Sequence, residues 1–146
     1  MSKAPDGIDD PASSGCGSLA VKHRGKTILI ADDEEDLRLL VQITLEDPSL
    51  RVVTVENGYR VLERVREEHP DVIVLDWMMP GLSGIEVLKR LRAKPETAAI
   101  PVVVLTARDQ PEDMEEARLL GAFAYLTKPF SPLELLERVQ DALLRR

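Results

Sequence analysis

The chain has 146 residues, enough for one ordinary domain, and its 44% apolar and 31% charged residues are typical of a globular protein with a single core. A net charge of -7 argues against direct binding of nucleic acid, and no apolar stretch is long enough to cross a membrane. The single cysteine, Cys16, can form no internal disulfide, and no secretory signal is visible, so we expect a cytoplasmic location.

The first 25 residues differ in composition from the rest of the chain. They are rich in Ser, Gly, Pro and Asp and have no hydrophobic period. Such a segment buries too little apolar surface to offset the entropy that is lost when it becomes ordered. We therefore predict a disordered leader over residues 1–25 and a single domain over residues 26–146.

From Thr27 onward, short apolar runs alternate with amphipathic helical patterns. The runs are too short for helices and rich in β-branched residues, which favours buried strands. The predicted strands cover residues 27–31, 51–55, 71–75, 101–107 and a part of 122–128. The predicted helices cover residues 34–47, 57–69, 84–93, a stretch from about Pro111 to Gly121, and a last segment that opens with the capping box Ser131 to Glu134.

The first predicted helix carries five residues that share one helical face, which we expect to pack on the core: Leu37, Leu40, Val41, Thr44 and Leu45. Strands that alternate with helices predict parallel pairing through right-handed crossovers. The predicted fold class is therefore α/β, with a doubly wound five-stranded parallel sheet and helices on both of its faces. In such sheets, ligands bind at the carboxyl ends of the strands.

Polar residues follow the predicted strands at these carboxyl ends. Asp32 and Asp33 follow the first strand, Asp76 the third, Thr106 closes the fourth, and Lys128 closes the fifth. Turn preference alone could explain any single one of these residues. Because the ends of parallel strands meet at one edge of the sheet, we expect all five side chains to lie together.

This residue set suits metal-assisted phosphoryl transfer. Neighbouring carboxylates repel one another, and a hard divalent cation with oxygen ligands relieves that repulsion, so Asp32, Asp33 and Asp76 predict a Mg²⁺ site, with Mn²⁺ as an alternative. A carboxylate of this kind can act as a nucleophile and form an aspartyl phosphate. Lys128 supplies a positive charge and Thr106 a hydroxyl donor for the phosphoryl oxygens.

The chain from about residue 26 to 146 resembles the receiver domain of bacterial two-component response regulators, and chemotaxis regulators in particular. In such receivers the strand order is 2-1-3-4-5, as in flavodoxin. The resemblance rests on four stretches in order: ILIADDEEDLR, VIVLDWMMPGLSGIE, VVVLTA and AYLTKPF.

The resemblance implies a role for each matching residue. Asp76 would be the phosphoacceptor, taking its phosphoryl group from a histidine kinase or a histidine phosphotransfer protein. Asp33 would bind the Mg²⁺ ion directly and Asp32 mainly through water, and the backbone carbonyl of Met78 would complete the ligands. The remaining implied roles are phosphoryl binding by Lys128 and the Ala107 backbone, a switch pair of Thr106 and Tyr125, a cis peptide between Lys128 and Pro129, and control of the phosphate lifetime by Met78 and Arg108.

The implied output is a change in the face formed by strand 4, helix 4, strand 5 and helix 5, which would bind a downstream protein or an output domain. Receivers of the winged-helix subclass carry acids just before the switch aromatic, where this chain has Phe123 and Ala124, so the dimer that such acids form is not expected here. The domain would not be an enzyme beyond catalysing its own phosphorylation and dephosphorylation.

Two other classes of protein compete with this interpretation. A haloacid-dehalogenase-type phosphatase also forms an aspartyl phosphate, but it needs a second acid at the position of Met78. A pseudo-receiver that serves only as a binding module usually lacks the acids or the lysine, and this chain has all of them. We also expect Trp77, next to Asp76, to be a partly exposed turn residue.

Overall fold

The computed structural model describes residues 25–106 and 111–145. In these ranges the strands are β1 (Lys26–Ala31), β2 (Leu50–Val55), β3 (Val72–Asp76), β4 (Val102–Thr106) and β5 (Ala124–Thr127). The helices are α1 (Glu35–Thr44), α2 (Gly58–Glu68), α3 (Gly84–Ala93), α4 (Pro111–Leu119) and α5 (Pro132–Arg145). Apart from Gly25, the predicted leader lies outside the described residues, so it stays a prediction. Among the helices described, none combines the length and the apolar character that a membrane crossing requires.

The strands form one parallel sheet in the order β2-β1-β3-β4-β5, which confirms the predicted topology. Its three central strands are apolar runs in which almost every side chain is fully buried. Alternate residues of β1 point to opposite faces, so Leu29 belongs to one core cluster and Ile28 and Ile30 belong to the other. Helices α2, α3 and α4 cover the first face, and α1 and α5 cover the second, as the doubly wound prediction requires.

Helix α1 packs fewer of its apolar residues on the core than its sequence pattern predicts. Val41 and Leu45 are fully buried and Leu37 packs on the same cluster, but Leu40 remains 43% exposed. The buried residues are spaced by four, so only a narrow ridge of this short helix faces the sheet. Leu40 lies beside that ridge, and its carbonyl accepts a hydrogen bond from the Thr44 hydroxyl at the end of the helix.

Candidate functional site

The predicted acidic residues meet at the carboxyl ends of the neighbouring strands β1 and β3. Ala31 pairs with Leu75 in the sheet, so Asp32 and Asp76 are the next residues of neighbouring strands. Both are almost completely buried, whereas the next acid, Asp33, is exposed. One carboxylate oxygen from each of the three lies within 4.8 Å of the other two. The sequence prediction that strand ends bring these acids together is therefore confirmed.

Backbone hydrogen bonds orient the two buried carboxylates. The Glu34 amide donates to Asp32 Oδ1 at 2.9 Å, and the Met78 amide donates to Asp76 Oδ1 at 3.2 Å. Each aspartate thus bonds to the amide two residues further on, an arrangement that short acidic side chains favour. The second oxygen of each carboxylate, Oδ2, faces the ammonium group of Lys128.

Lys128 is the cation of this cluster. Its Nζ lies 3.2 Å from Asp32 Oδ2, 3.4 Å from Asp76 Oδ2 and 3.9 Å from Glu34 Oε1. The Lys128 amide also donates to the carbonyl of Thr106 at 2.6 Å, which fixes the loop after β5 against the end of β4. The Lys128–Pro129 peptide bond is cis, as the resemblance implies.

The electrostatics of the cluster follow from burial and repulsion. Burial and, after it, repulsion by Asp32 raise the pKa of the Asp76 carboxyl to about 6, against the opposing effects of Lys128 and the Met78 amide. Burial lowers the pKa of the Lys128 ammonium, but Asp76 and Asp32 raise it by more, so the net direction is upward. One ammonium therefore does not neutralise three carboxylates, and the donor set of oxygens alone fits a hard divalent cation.

Thr106 and Tyr125 lie on the β4–β5 side of the cluster. Thr106 is the last residue of β4 and is buried, one position beyond the pair of Leu105 with Asp76. Tyr125 pairs with Val104 in the sheet and packs, half-buried, on the core cluster of the α2–α3–α4 face. Ala107 and Arg108 lie outside the described residues, so the roles implied for them stay predictions.

Two residues near the cluster were missed or misjudged from the sequence. Arg38 of α1 reaches back over the turn, and its Nη1 donates to the Asp32 carbonyl at 2.7 Å. Its position in the stretch ILIADDEEDLR was the only available signal. Trp77 is 4% exposed, so the prediction of a partly exposed turn residue was wrong. Gly84 explains this burial, because a Cβ atom at Gly84 would lie 2.8 Å from Trp77 Cα and 3.0 Å from its ring.

A doubly wound sheet with an acid–lysine cluster at its carboxyl end is the arrangement of a class of signalling domain. Comparisons with known proteins identify the family. Residues 28–140 match the family described as response regulator receiver domain. The chain therefore belongs to the receiver-domain family of response regulators, which act in two-component signal transduction.

Individual relatives agree with this assignment. The chain is 43% identical over 119 residues to the phosphate regulon transcriptional regulatory protein PhoB of Rhizobium meliloti, covering 82% of this chain and 52% of that protein. It is 46% identical over 121 residues to the alkaline phosphatase synthesis transcriptional regulatory protein PhoP of Bacillus subtilis, covering 83% and 49%. Among solved structures, chemotaxis protein CheY4 of Vibrio cholerae superposes with a TM-score of 0.75 at 33% identity, covering 81% of this chain and 98% of that one. The chain thus spans about half the length of the curated relatives it matches.

Proposed function

We propose that Asp76 accepts a phosphoryl group from a histidine kinase or a histidine phosphotransfer protein, in a Mg²⁺-dependent reaction that this domain catalyses on itself. The observation that carries the proposal is the geometry of one cluster. Lys128 Nζ lies within 3.4 Å of the buried Asp76 carboxylate, and three carboxylate oxygens lie within 4.8 Å of one another. Membership of the receiver family supports the same role and a location in the cytoplasm.

Asp32, Asp33 and Asp76, with the backbone carbonyl of Met78, would hold the metal ion, either Mg²⁺ or Mn²⁺. When bound, the ion supplies positive charge that offsets the negative charge of the incoming phosphoryl oxygens. Asp32 Oδ1 already accepts the Glu34 amide and Oδ2 accepts the Lys128 ammonium, so the ion or a water of its shell would share Oδ2 with Lys128 or displace it.

In the transfer, an Asp76 carboxylate oxygen forms a bond to phosphorus while the bond from phosphorus to the donor nitrogen breaks, and the donor histidine leaves with that electron pair. Lys128 would pair with a phosphoryl oxygen in place of its present contact with Asp76 Oδ2. The Thr106 hydroxyl and the Ala107 amide would donate to other phosphoryl oxygens. Charge and position are the contributions of these side chains.

The signal would leave the site through the pair of Thr106 and Tyr125. A movement of Thr106 towards the phosphoryl group would open space for Tyr125 and bias the face of β4, α4, β5 and α5 between two states. That face would bind a downstream protein or a further domain of a longer chain. The curated relatives are transcriptional regulatory proteins, but Phe123 and Ala124 replace the acids expected for a winged-helix dimer.

Acetyl phosphate with Mg²⁺ tests the acceptor. Intact-mass measurement should find a gain of one phosphoryl group, which Asp76→Asn abolishes and Asp32→Asn only slows. Asp141→Asn, at an exposed position of α5, is the matched control and should label like the wild type. Undiminished labelling of Asp76→Asn would contradict the proposal.

The metal has its own readout, which does not depend on phosphorylation. Trp77 directly follows Asp76 and is buried, so Mg²⁺ binding should change its fluorescence, and Asp33→Asn should weaken the apparent affinity. A fluorescence that is insensitive to Mg²⁺ in a folded protein would exclude a metal site beside Asp76.

A further inference from the structure

A second site candidate lies at the opposite end of the sheet from Asp76. A cavity of about 710 Å³ opens between the carboxyl ends of α2 and α3, beside the loop that leads into β4. Pro70, which lines it, lies two residues before the start of β3, whereas Asp76 is the last residue of that strand. A strand of this length separates the two places by roughly 17 Å. The cavity is therefore not part of the acid–lysine cluster.

The walls of the cavity combine apolar groups with positive charge. Four aliphatic residues provide its apolar walls: Leu62, Val65, Leu91 and Ile100. Arg66, Arg90 and Lys94 surround it, His69 lies beside them, and Glu96 is the one acid among the lining residues that the structure describes. A chain whose net charge is -7 thus places three permanent cations around one apolar hollow.

Cations at helix carboxyl ends often serve only to compensate the helix dipole. Here one backbone carbonyl near each of these ends already has a donor that is not one of the cations. The His69 amide donates to the Val65 carbonyl at 3.0 Å, and the Thr97 hydroxyl donates to the Leu91 carbonyl at 2.6 Å. Within residues 25–106 and 111–145, Arg66 and Lys94 form no salt bridge, and Arg90 has only an exposed pair with Glu86 at 3.4 Å. The cationic groups are thus available to an external anion.

We propose that this cavity binds a small amphipathic anion, in which one carboxylate or phosphate group is attached to an apolar body. The apolar body would contact the aliphatic walls, and the anionic group would pair with Arg66 and Lys94. The volume is in the range of cavities that take compact organic ligands, roughly 300 to 1,000 Å³. A small anion without an apolar body would make no contact with the aliphatic walls, and an uncharged apolar molecule would leave the cations without a partner, so each should bind more weakly than a ligand that has both parts.

Calorimetric titration with octanoate and with octyl phosphate tests this proposal and separates the two anionic groups. Saturable binding of at least one is expected, with acetate and octylammonium at least tenfold weaker. Arg66→Gln and Lys94→Gln should each weaken binding about fivefold, because each removes one charge-assisted pair. Lys89→Gln is the matched control, since Lys89 is exposed on α3 but does not line the cavity.

A filling variant makes the test independent of charge. Ala93→Trp places a large side chain at the cavity rim and should abolish octanoate binding while acetyl phosphate still labels the protein. Equal affinity for octanoate and octylammonium, or equal binding by all variants, would overturn the proposal. Sedimentation of the free protein as a dimer that Ala93→Trp dissociates would also overturn it, because a second copy would then cover the cavity.

Discussion

Two cations that are largely withdrawn from water lie at opposite ends of the sheet, and they have opposite surroundings. At the carboxyl end, Lys128 is 18% exposed and faces the carboxylates of Asp32 and Asp76. At the amino end, the partners of Arg92 of α3 within the described residues are backbone carbonyls. Its three bonds reach Leu120 at 2.9 Å, Ile100 at 3.0 Å and Gly121 at 2.9 Å.

The comparison shows that burial alone does not decide the direction in which the pKa of a charged group moves. Burial lowers the pKa of the Arg92 guanidinium, and carbonyl dipoles do not reverse that direction. The pKa of Lys128 moves upward because its partners carry full charges. Arg92 therefore connects α3 to the carboxyl end of α4 and to the start of β4. Lys128 instead neutralises only part of the negative charge of the carboxylates beside it, which stay available to a metal ion and to phosphoryl transfer.

The largest effect is expected for Lys128→Met. The variant removes the positive charge next to Asp76, so its rate of labelling by acetyl phosphate should fall about 100-fold, equivalent to about 2.7 kcal/mol of barrier. Lys89→Met, which removes an exposed cation from α3, should keep the wild-type rate. An unchanged rate for a folded Lys128→Met protein would show that Lys128 does not act on the phosphoryl group.

Arg92→Met should show the opposite pattern. The variant leaves three carbonyls at the amino end without their donor, so urea unfolding should report a loss of about 2 kcal/mol in the free energy of unfolding. Labelling by acetyl phosphate should stay within about twofold of the wild type at a temperature where the variant is folded. The control is Arg90→Met, which removes only an exposed pair and should change stability by less than about 0.5 kcal/mol. An Arg92→Met protein with wild-type stability that is no longer labelled by acetyl phosphate would contradict the different roles given to the two cations.

The carboxyl end of the sheet could be predicted from the sequence, and the amino end could not. Each strand is predicted from a local pattern, and the residue at the end of a parallel strand necessarily lies at the carboxyl end of the sheet. Asp32, Asp76 and Lys128 were therefore placed together correctly. The Arg92 bonds join residues up to 29 positions apart. They depend on how the ends of α3 and α4 approach each other, which no local pattern encodes. The cavity beside Arg66 has the same origin.

Burial of individual side chains was predictable only where neighbours constrain it strongly. The apolar runs of the central strands are buried on both faces, as their composition indicates. Leu40 and Trp77 were misjudged because a helix face and a turn each have several orientations that satisfy the sequence pattern. Only the packing of α1 on the sheet and the close approach of Gly84 decide between them.

The lifetime of the aspartyl phosphate tests the carboxyl end in a different way. Met78 is 68% exposed, and its apolar side chain cannot orient a water molecule for attack on phosphorus. Arg108, which lies outside the described residues, has only donors and cannot accept a proton from that water. We expect a long-lived phosphate, and the double variant Met78→Asn, Arg108→Glu should decay at least tenfold faster, about 1.4 kcal/mol in barrier. Equal decay of the two labelled proteins at neutral pH with Mg²⁺ would contradict this.

The smallest effect is expected from the buried charge of Asp76, which desolvation and the neighbouring Asp32 both disfavour. The pKa of Asp76 rises from an ordinary value of 3.8 to about 6 in the fold, so the folded state binds its proton more tightly than the unfolded chain does. Ionised Asp76 therefore destabilises the metal-free protein above pH 6, and this penalty fades as the pH falls towards 4. In chelator at pH 7, Asp76→Asn should stabilise the protein by about 1 kcal/mol, with no gain at pH 4. A gain of the same size at both pH values would mean that the ionised Asp76 carboxylate is not the cause.

The site of phosphorylation can be located in the unaltered protein, without a variant that could disturb the cluster. Hydroxylamine converts an aspartyl phosphate into a stable hydroxamate, so labelling with acetyl phosphate and Mg²⁺, treatment with hydroxylamine and peptide mass spectrometry identify the residue that carried the phosphoryl group. We predict modification of Asp76 alone, dependent on Mg²⁺. Modification of Asp33 or Glu34 in place of Asp76, or labelling that persists in chelator, would contradict it.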